Sequence, residues 1–132
     1  MRKRILLVED NSELLGILTL TFRDAGYATA AVCDGLAAIK KARSWLPDIV
    51  LLDLMLPELD GFGVCERLRH DPTTAGIPVL MHSGLSGQLS RFAGIDSGGT
   101  DFITKPASPS ALVLKVGKML DQRASRREAH ES

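Results

Sequence analysis

Five residues at the ends of short apolar runs carry groups that could do chemistry together. Glu9 and Asp10 follow Ile5-Leu6-Leu7-Val8, and Asp53 closes Ile49-Val50-Leu51-Leu52. Ser83 lies two residues past Pro78-Val79-Leu80-Met81, and Lys105 follows Phe102-Ile103-Thr104. Two carboxylates about 5 Å apart repel by roughly 3 kcal/mol at an effective dielectric of 20, so three gathered acids need a compensating cation. The hard, oxygen-seeking choice is Mg2+, which keeps several waters and uses one or two carboxylates plus a phosphoryl oxygen. Lys105 alone cannot neutralise three acids, but it suits pairing with one of them or with a phosphoryl group. Ser83 adds a hydroxyl donor. Such a set can stabilise charge on phosphoryl oxygens in transfer, where positioning and electrostatics supply most of the catalysis. Any one acid also reads as an ordinary polar residue ending a buried strand. Conjunction at four strand ends is what ordinary strand termination does not require.

The elements that would position these groups follow from the alternation of short apolar runs with longer amphipathic stretches, the pattern of β/α units around a parallel sheet. The continuous runs at 5–8 and 49–52 suit strands buried on both faces. Tyr27 to Cys33, less apolar, suits an edge strand. Asn11 or Ser12 can cap a helix carrying Leu14, Leu15, Leu18 and Phe22 at helical spacing, stopped by Gly26. Asp34 can cap a helix from Gly35 to about Trp45 with Leu36, Ile39 and Ala42 inward. Phe62 to Leu68 gives a third helix. Leu85 to Gly99, with Gly87, Gly94, Gly98 and Gly99, is expected to be a short or mobile fourth, because each interior glycine costs roughly 1 kcal/mol against alanine. Pro109 starts a fifth helix with Leu112, Val113, Val116 and Leu120 buried, and the polar chain from Arg123 is expected to fray. Five strands and five helices in alternation predict a flavodoxin-like, doubly wound (βα)5 α/β domain with strand order 2-1-3-4-5. In that order strands 1 and 3 flank the switch point, and Asp10 and Asp53 face each other across it.

With 132 residues, one domain fits, expected over 1–122, with 123–132 a polar C-terminal tail or truncated linker. Sixteen basic residues balance sixteen acidic ones, which gives no electrostatic reason to expect direct contact with nucleic acid or a membrane. Glu9 and Asp10 end the first apolar run too early for a signal peptide or membrane span, so a cytoplasmic location is expected. Cys33 and Cys65 form no metal-type spacing and read as buried thiols. His82 reads as a packed or solvated histidine, Trp45 and Phe62 as core or rim. Arg123, Arg126 and Arg127 read as a solvated tail.

Leu7-Val8-Glu9-Asp10-Asn11, Leu52-Asp53-Leu54-Met55-Leu56-Pro57-Glu58-Leu59-Asp60-Gly61, Ser83 and Asp101-Phe102-Ile103-Thr104-Lys105-Pro106 resemble the signature of response-regulator receiver domains over residues 4 to about 122. The resemblance implies a two-component phosphorelay switch in which Asp53 is phosphorylated by a sensor histidine kinase or a histidine phosphotransfer protein. It implies that Asp10 and Asp53 hold Mg2+ with the backbone carbonyl of Met55, Glu9 acting mainly through water. Lys105 would pair with Asp53 and then the phosphoryl group, Ser83 would swing inward to it, and Phe102 would change rotamer. A cis Lys105-Pro106 bond is also implied. The output would be the face of helix 4, strand 5 and helix 5, acting on an effector domain, a partner protein or a second copy in a homodimer.

Phe102 stands where tyrosine is more frequent in that family, so the switch has no hydroxyl there. Met55 and Leu85 put apolar side chains where water would approach the phosphoryl group, so slowed self-dephosphorylation is expected. Three other readings compete. An aspartate-nucleophile phosphohydrolase generally has a second aspartate two residues past the nucleophile, where this chain has Met55. A nucleotide-binding domain needs a Gly-x-Gly-x-x-Gly or Walker lysine motif, and the loop after strand 1 holds Glu9-Asp10-Asn11 instead. A phosphorylation-independent interaction module is disfavoured by five intact pocket positions. A phosphoacceptor switch, not a turnover enzyme, is the expected function.

Overall fold

A computed structural model of the chain describes residues 2–84, 93–96 and 98–131, without the side chains of 129–131. Most of the reading of 85–99 therefore lies outside the described residues. The elements run β1 (Arg4–Val8), α1 (Ser12–Asp24), β2 (Ala28–Val32), α2 (Gly35–Trp45), β3 (Ile49–Asp53), α3 (Gly61–His70) and β4 (Val79–Ser83). A helical stretch at 93–96, α4, precedes β5 (Asp101–Thr104) and α5 (Pro109–Glu131). All pairings are parallel, and the order is β2-β1-β3-β4-β5, as predicted.

Two-residue alternation along the central strands splits the core in two. Leu6, Val8, Val50, Leu52, Val79 and Met81 pack with α2 and α3. Ile5, Leu7, Ile49, Leu51 and Leu80 pack with Leu18 and Phe22 of α1 and Leu112, Val116 and Met119 of α5. Every residue of β3 and β4 is buried, whereas β2 and β5 are half-buried at the edges. The expected caps form: Asn11 Oδ1 accepts from Leu14 N at 3.0 Å, and Asp34 Oδ1 from Ala37 N at 2.8 Å. Gly26, at φ 97°, takes the left-handed backbone that ends α1.

Three expectations are corrected. Leu36 is exposed, and α2 buries Gly35, Ala38 and Ala42 instead. Its rotation is set by Gly35, where a Cβ would lie 2.5 Å from the Leu59 carbonyl oxygen. Cys33, just beyond edge strand β2, is exposed; Cys65 is buried, and burial pushes its thiol up to about 12. The chain past Arg123 stays helical to Glu131, because its Arg, Ala and Glu residues favour helix and Arg123 donates to the Gly76 carbonyl. Among the described residues no helix is long and apolar enough to cross a membrane.

Candidate functional site

The carboxyl ends of the strands converge at one rim, as an open parallel sheet requires. Val8 pairs with Leu52 in the β1–β3 register, so Glu9 and Asp53 occupy equivalent steps on neighbouring strands. Glu9, Asp10 and Asp53 each bring a carboxylate oxygen within 4.8 Å of the others. Glu9 and Asp53 are buried, and Asp10 is exposed at the mouth. An all-oxygen set with one solvent-facing member fits a hard divalent cation.

Lys105 reaches this cluster from β5. Its Nζ donates to Glu9 Oε1 at 2.6 Å and to Asp53 Oδ2 at 3.2 Å. Its backbone N–H donates to the Ser83 carbonyl at 2.8 Å, so the β4–β5 ladder aims the side chain. The Lys105-Pro106 bond is cis. Burial alone would lower the ammonium pKa, but the bond to Glu9 and the fields of Asp53 and Glu9 outweigh it, and the pKa is raised. Burial raises the Glu9 pKa, opposed by its bonds from Lys105 and from Asn11 N at 3.2 Å. The shorter contact of Lys105 is thus with Glu9, in addition to the expected one with Asp53.

The loop after β3 fixes Asp53 from the other side. Met55 N donates to Asp53 Oδ1 at 2.9 Å, and the Met55 side chain points outward, 58% exposed. Gly61 N donates to the Leu54 carbonyl at 3.0 Å, and a Cβ at Gly61 would meet Leu54 Cα at 2.5 Å and the Asp53 carbonyl oxygen at 2.6 Å. Glycine lets the start of α3 close onto the strand end there. Asp60 caps that helix, accepting from Gly63 N at 3.0 Å. Ser83 is fully buried at the end of β4, and Phe102 is buried against the α2/α3 side of the sheet. Leu85 lies outside the described residues.

One residue read from sequence as ordinary belongs beside the site. His82 pairs with Asp53 in the β3–β4 register, is 2% exposed, and its buried Nε2 has no hydrogen-bond partner among the described residues. Burial, then the charge of Lys105, push its pKa down to about 4 against the pull of Asp53, so the ring is neutral at pH 7. The signal was available in the two-residue strand period, which puts 53 and 82 on one face once Leu52 and Met81 are aligned.

Over residues 5–117 the chain matches the response regulator receiver domain family. It is 41% identical over 116 residues to the DNA-binding response regulator MtrA of Mycobacterium tuberculosis, covering 88% of this chain and 50% of that protein. It is 40% identical over 116 residues to the response regulator PleD of Caulobacter vibrioides, covering 88% of this chain and 26% of PleD. The chain thus spans half the length of the first relative and about a quarter of the second. Among solved structures it is similar to the signal receiver domain of a signal transduction histidine kinase from Syntrophus aciditrophicus, with 31% identity, a TM-score of 0.83 and 91% of each chain covered.

Proposed function

This chain belongs to the response regulator receiver family of two-component signalling, and from that premise we propose that Asp53 is the side chain that accepts the phosphoryl group. One observation carries the assignment: Asp53 closes the central strand β3, buried in the acidic cluster beside Glu9, with Met55 N on one carboxylate oxygen and Lys105 on the other. In the reaction, an Asp53 oxygen forms a bond to phosphorus while the P–N bond of a phosphohistidine breaks. The imidazole leaves with the electron pair and takes a proton from solvent. Met55 N and Lys105 hold the two carboxylate oxygens, so little reorientation is left for the moment of attack.

The residues suited to hold Mg2+ are Asp10, Asp53 and the Met55 carbonyl, with Glu9 acting mainly through water, and the bound ion would offset the carboxylate repulsion and the charge on the phosphoryl oxygens. Phosphorylation adds about 1.5 to 2 negative charges at Asp53. Lys105 then has a stronger partner than Glu9, and Ser83 a phosphoryl oxygen to approach. Their inward shift draws on the end of β4 and gives Phe102 room to change rotamer, altering the α4–β5–α5 face. We read the chain as a cytoplasmic phosphoacceptor switch, supplied by a sensor histidine kinase or histidine phosphotransfer protein. That face would act on an effector domain, a partner protein or a second copy of the chain.

Incubation with magnesium and acetyl phosphate, followed by intact mass measurement, is expected to show the gain of one phosphoryl group, and Asp53→Asn to abolish it. A folded Asp53→Asn chain that still gains the mass would overturn the assignment.

A further inference from the structure

At the opposite rim, where the strands begin, a cleft of about 730 Å³ opens between the end of α3, the start of β5 and the last turns of α5. Among the described residues four guanidinium groups line it, those of Arg69, Arg123, Arg126 and Arg127, against one carboxylate, Asp101. Asp101 is bridged to Lys115 at 2.7 Å. A chain with equal numbers of acidic and basic residues has thus gathered a strong local excess of positive charge in one concavity.

Structural duties account for part of this cluster. Arg69 Nε donates to the Gly98 carbonyl at 2.7 Å, and its Nη1 to the Ala75 and Ile77 carbonyls at 3.0 and 2.7 Å. Arg123 donates to the Gly76 carbonyl. These partners are neutral; Arg123 also feels the carboxylate of Asp48, and Arg69 has no ion pair among the described residues. Burial lowers the Arg123 pKa, and the fields of Arg127 and Arg69 lower it further against the pull of Asp48. Arg126 and Arg127 are exposed, with no ion pair among the described residues, and stand three and four positions after Arg123 on one side of α5. Favourable interaction with the helix C-terminus would attract cations at any azimuth. It does not explain three arginines lining one cleft, two of which, Arg123 and Arg127, also border a smaller hollow beside Asp48.

We propose that this cleft is a binding site for a small molecule bearing two or more linked phosphates, held by Arg123, Arg126 and Arg127 with Arg69 as a fixed charge behind them. Guanidinium forks match phosphate oxygens, and the volume lies within the range of small-ligand sites. Among the described residues no aromatic ring lines the cleft, so they offer recognition through the phosphates and not through stacking of a base. A concave site between two helices also suits a compact ligand better than the convex surface of a nucleic-acid duplex. Because the ligand would bridge α3, β5 and α5, it would touch elements that the Asp53 switch also uses.

The test is calorimetric titration of the whole chain with inorganic tripolyphosphate, in chelator to keep magnesium from the acidic cluster. Saturable binding at one site per chain is expected, weakened about tenfold or more in the exposed double variant Arg126→Gln/Arg127→Gln, since each guanidinium removed takes a charge-assisted hydrogen bond with it. A charge-matched control, Lys40→Gln/Arg67→Gln, should bind as the parent does. Amide NMR shifts on titration should fall at 98–101 and 119–127. Three outcomes would overturn the proposal: no saturable binding, equal weakening in both double variants, or tighter binding of a DNA duplex than of tripolyphosphate.

Discussion

Two buried groups beside Asp53 set measurable energetic consequences. His82 has a folded pKa of about 4 against about 6.5 when unfolded, so the unfolded chain takes up a proton first as pH falls. Its contribution to stability is therefore complete above pH 6.5 and is lost as pH drops through 4. The loss approaches about 3 kcal/mol as an upper limit. Urea denaturation in chelator at pH 7 and pH 4 should show the parent losing that much more than His82→Leu, and equal losses would mean the imidazole is not held neutral. Glu9 makes the second case. Lys105→Met strands a carboxylate that is 3% exposed, at a cost of roughly 3 kcal/mol, and adding Glu9→Gln should return most of it. If the double variant is no more stable than Lys105→Met alone, the 2.6 Å contact contributes nothing. That the acids and the amine meet is legible in the sequence, because a parallel sheet gathers all its strand ends at one rim. Which acid the lysine takes is not, since Glu9 and Lys105 stand 96 residues apart and their contact depends on side-chain reach.

Among the elements, the strands were legible because β1 and β3 are continuous apolar runs, and the first two helix starts because Asn11 and Asp34 are strong caps. The phase of α2 was not. Leu36 is the more apolar choice, but the backbone approach at Gly35 turns Ala38 inward, and that approach is a tertiary contact with no local trace. The glycines around α4 suggest mobility, but Gly94 and Gly99 have another cause. A Cβ at Gly94 would lie 2.6 Å from Met81 Sδ, and one at Gly99 would meet the same thioether closer still. Met81 is fully buried in the core, so its far end has little room to retreat. The small residues let the backbone settle on that side chain. Gly99→Ala is expected to cost about 1–3 kcal/mol in urea denaturation, as overpacking does. In a Met81→Ala background the same change should cost much less. Equal costs in the two backgrounds would mean that conformational freedom, and not close packing, selects glycine there.

Over the whole molecule, the two rims of the sheet do separate work, and Arg69 shows how. Its guanidinium ties the end of α3 to the chain entering β4, through Ala75 and Ile77, and to the turn entering β5, through Gly98. Thr100 N completes that rim by donating to the Val79 carbonyl at 2.8 Å. The far rim joins the same two strands through the Lys105 amide and the Ser83 carbonyl, beside Asp53. The proposed shift at Ser83 would therefore act on strands whose entries are clamped, and a switch of two packings needs such a fixed reference. Arg69→Met removes the clamp and leaves three carbonyls without their donor, at about 1–3 kcal/mol for each one that water does not reach. We expect a total loss of roughly 2–4 kcal/mol and faster amide exchange at Gly98, Gly99 and Thr100. Because every group proposed to act on phosphorus sits at the other rim, the folded variant should still reach full phosphorylation with excess acetyl phosphate and magnesium. Intact mass and hydrogen exchange on one sample separate the two effects. A folded Arg69→Met chain that no longer accepts the phosphoryl group would mean that the acidic cluster depends on the entry rim for its shape, and the two ends could not be treated as independent.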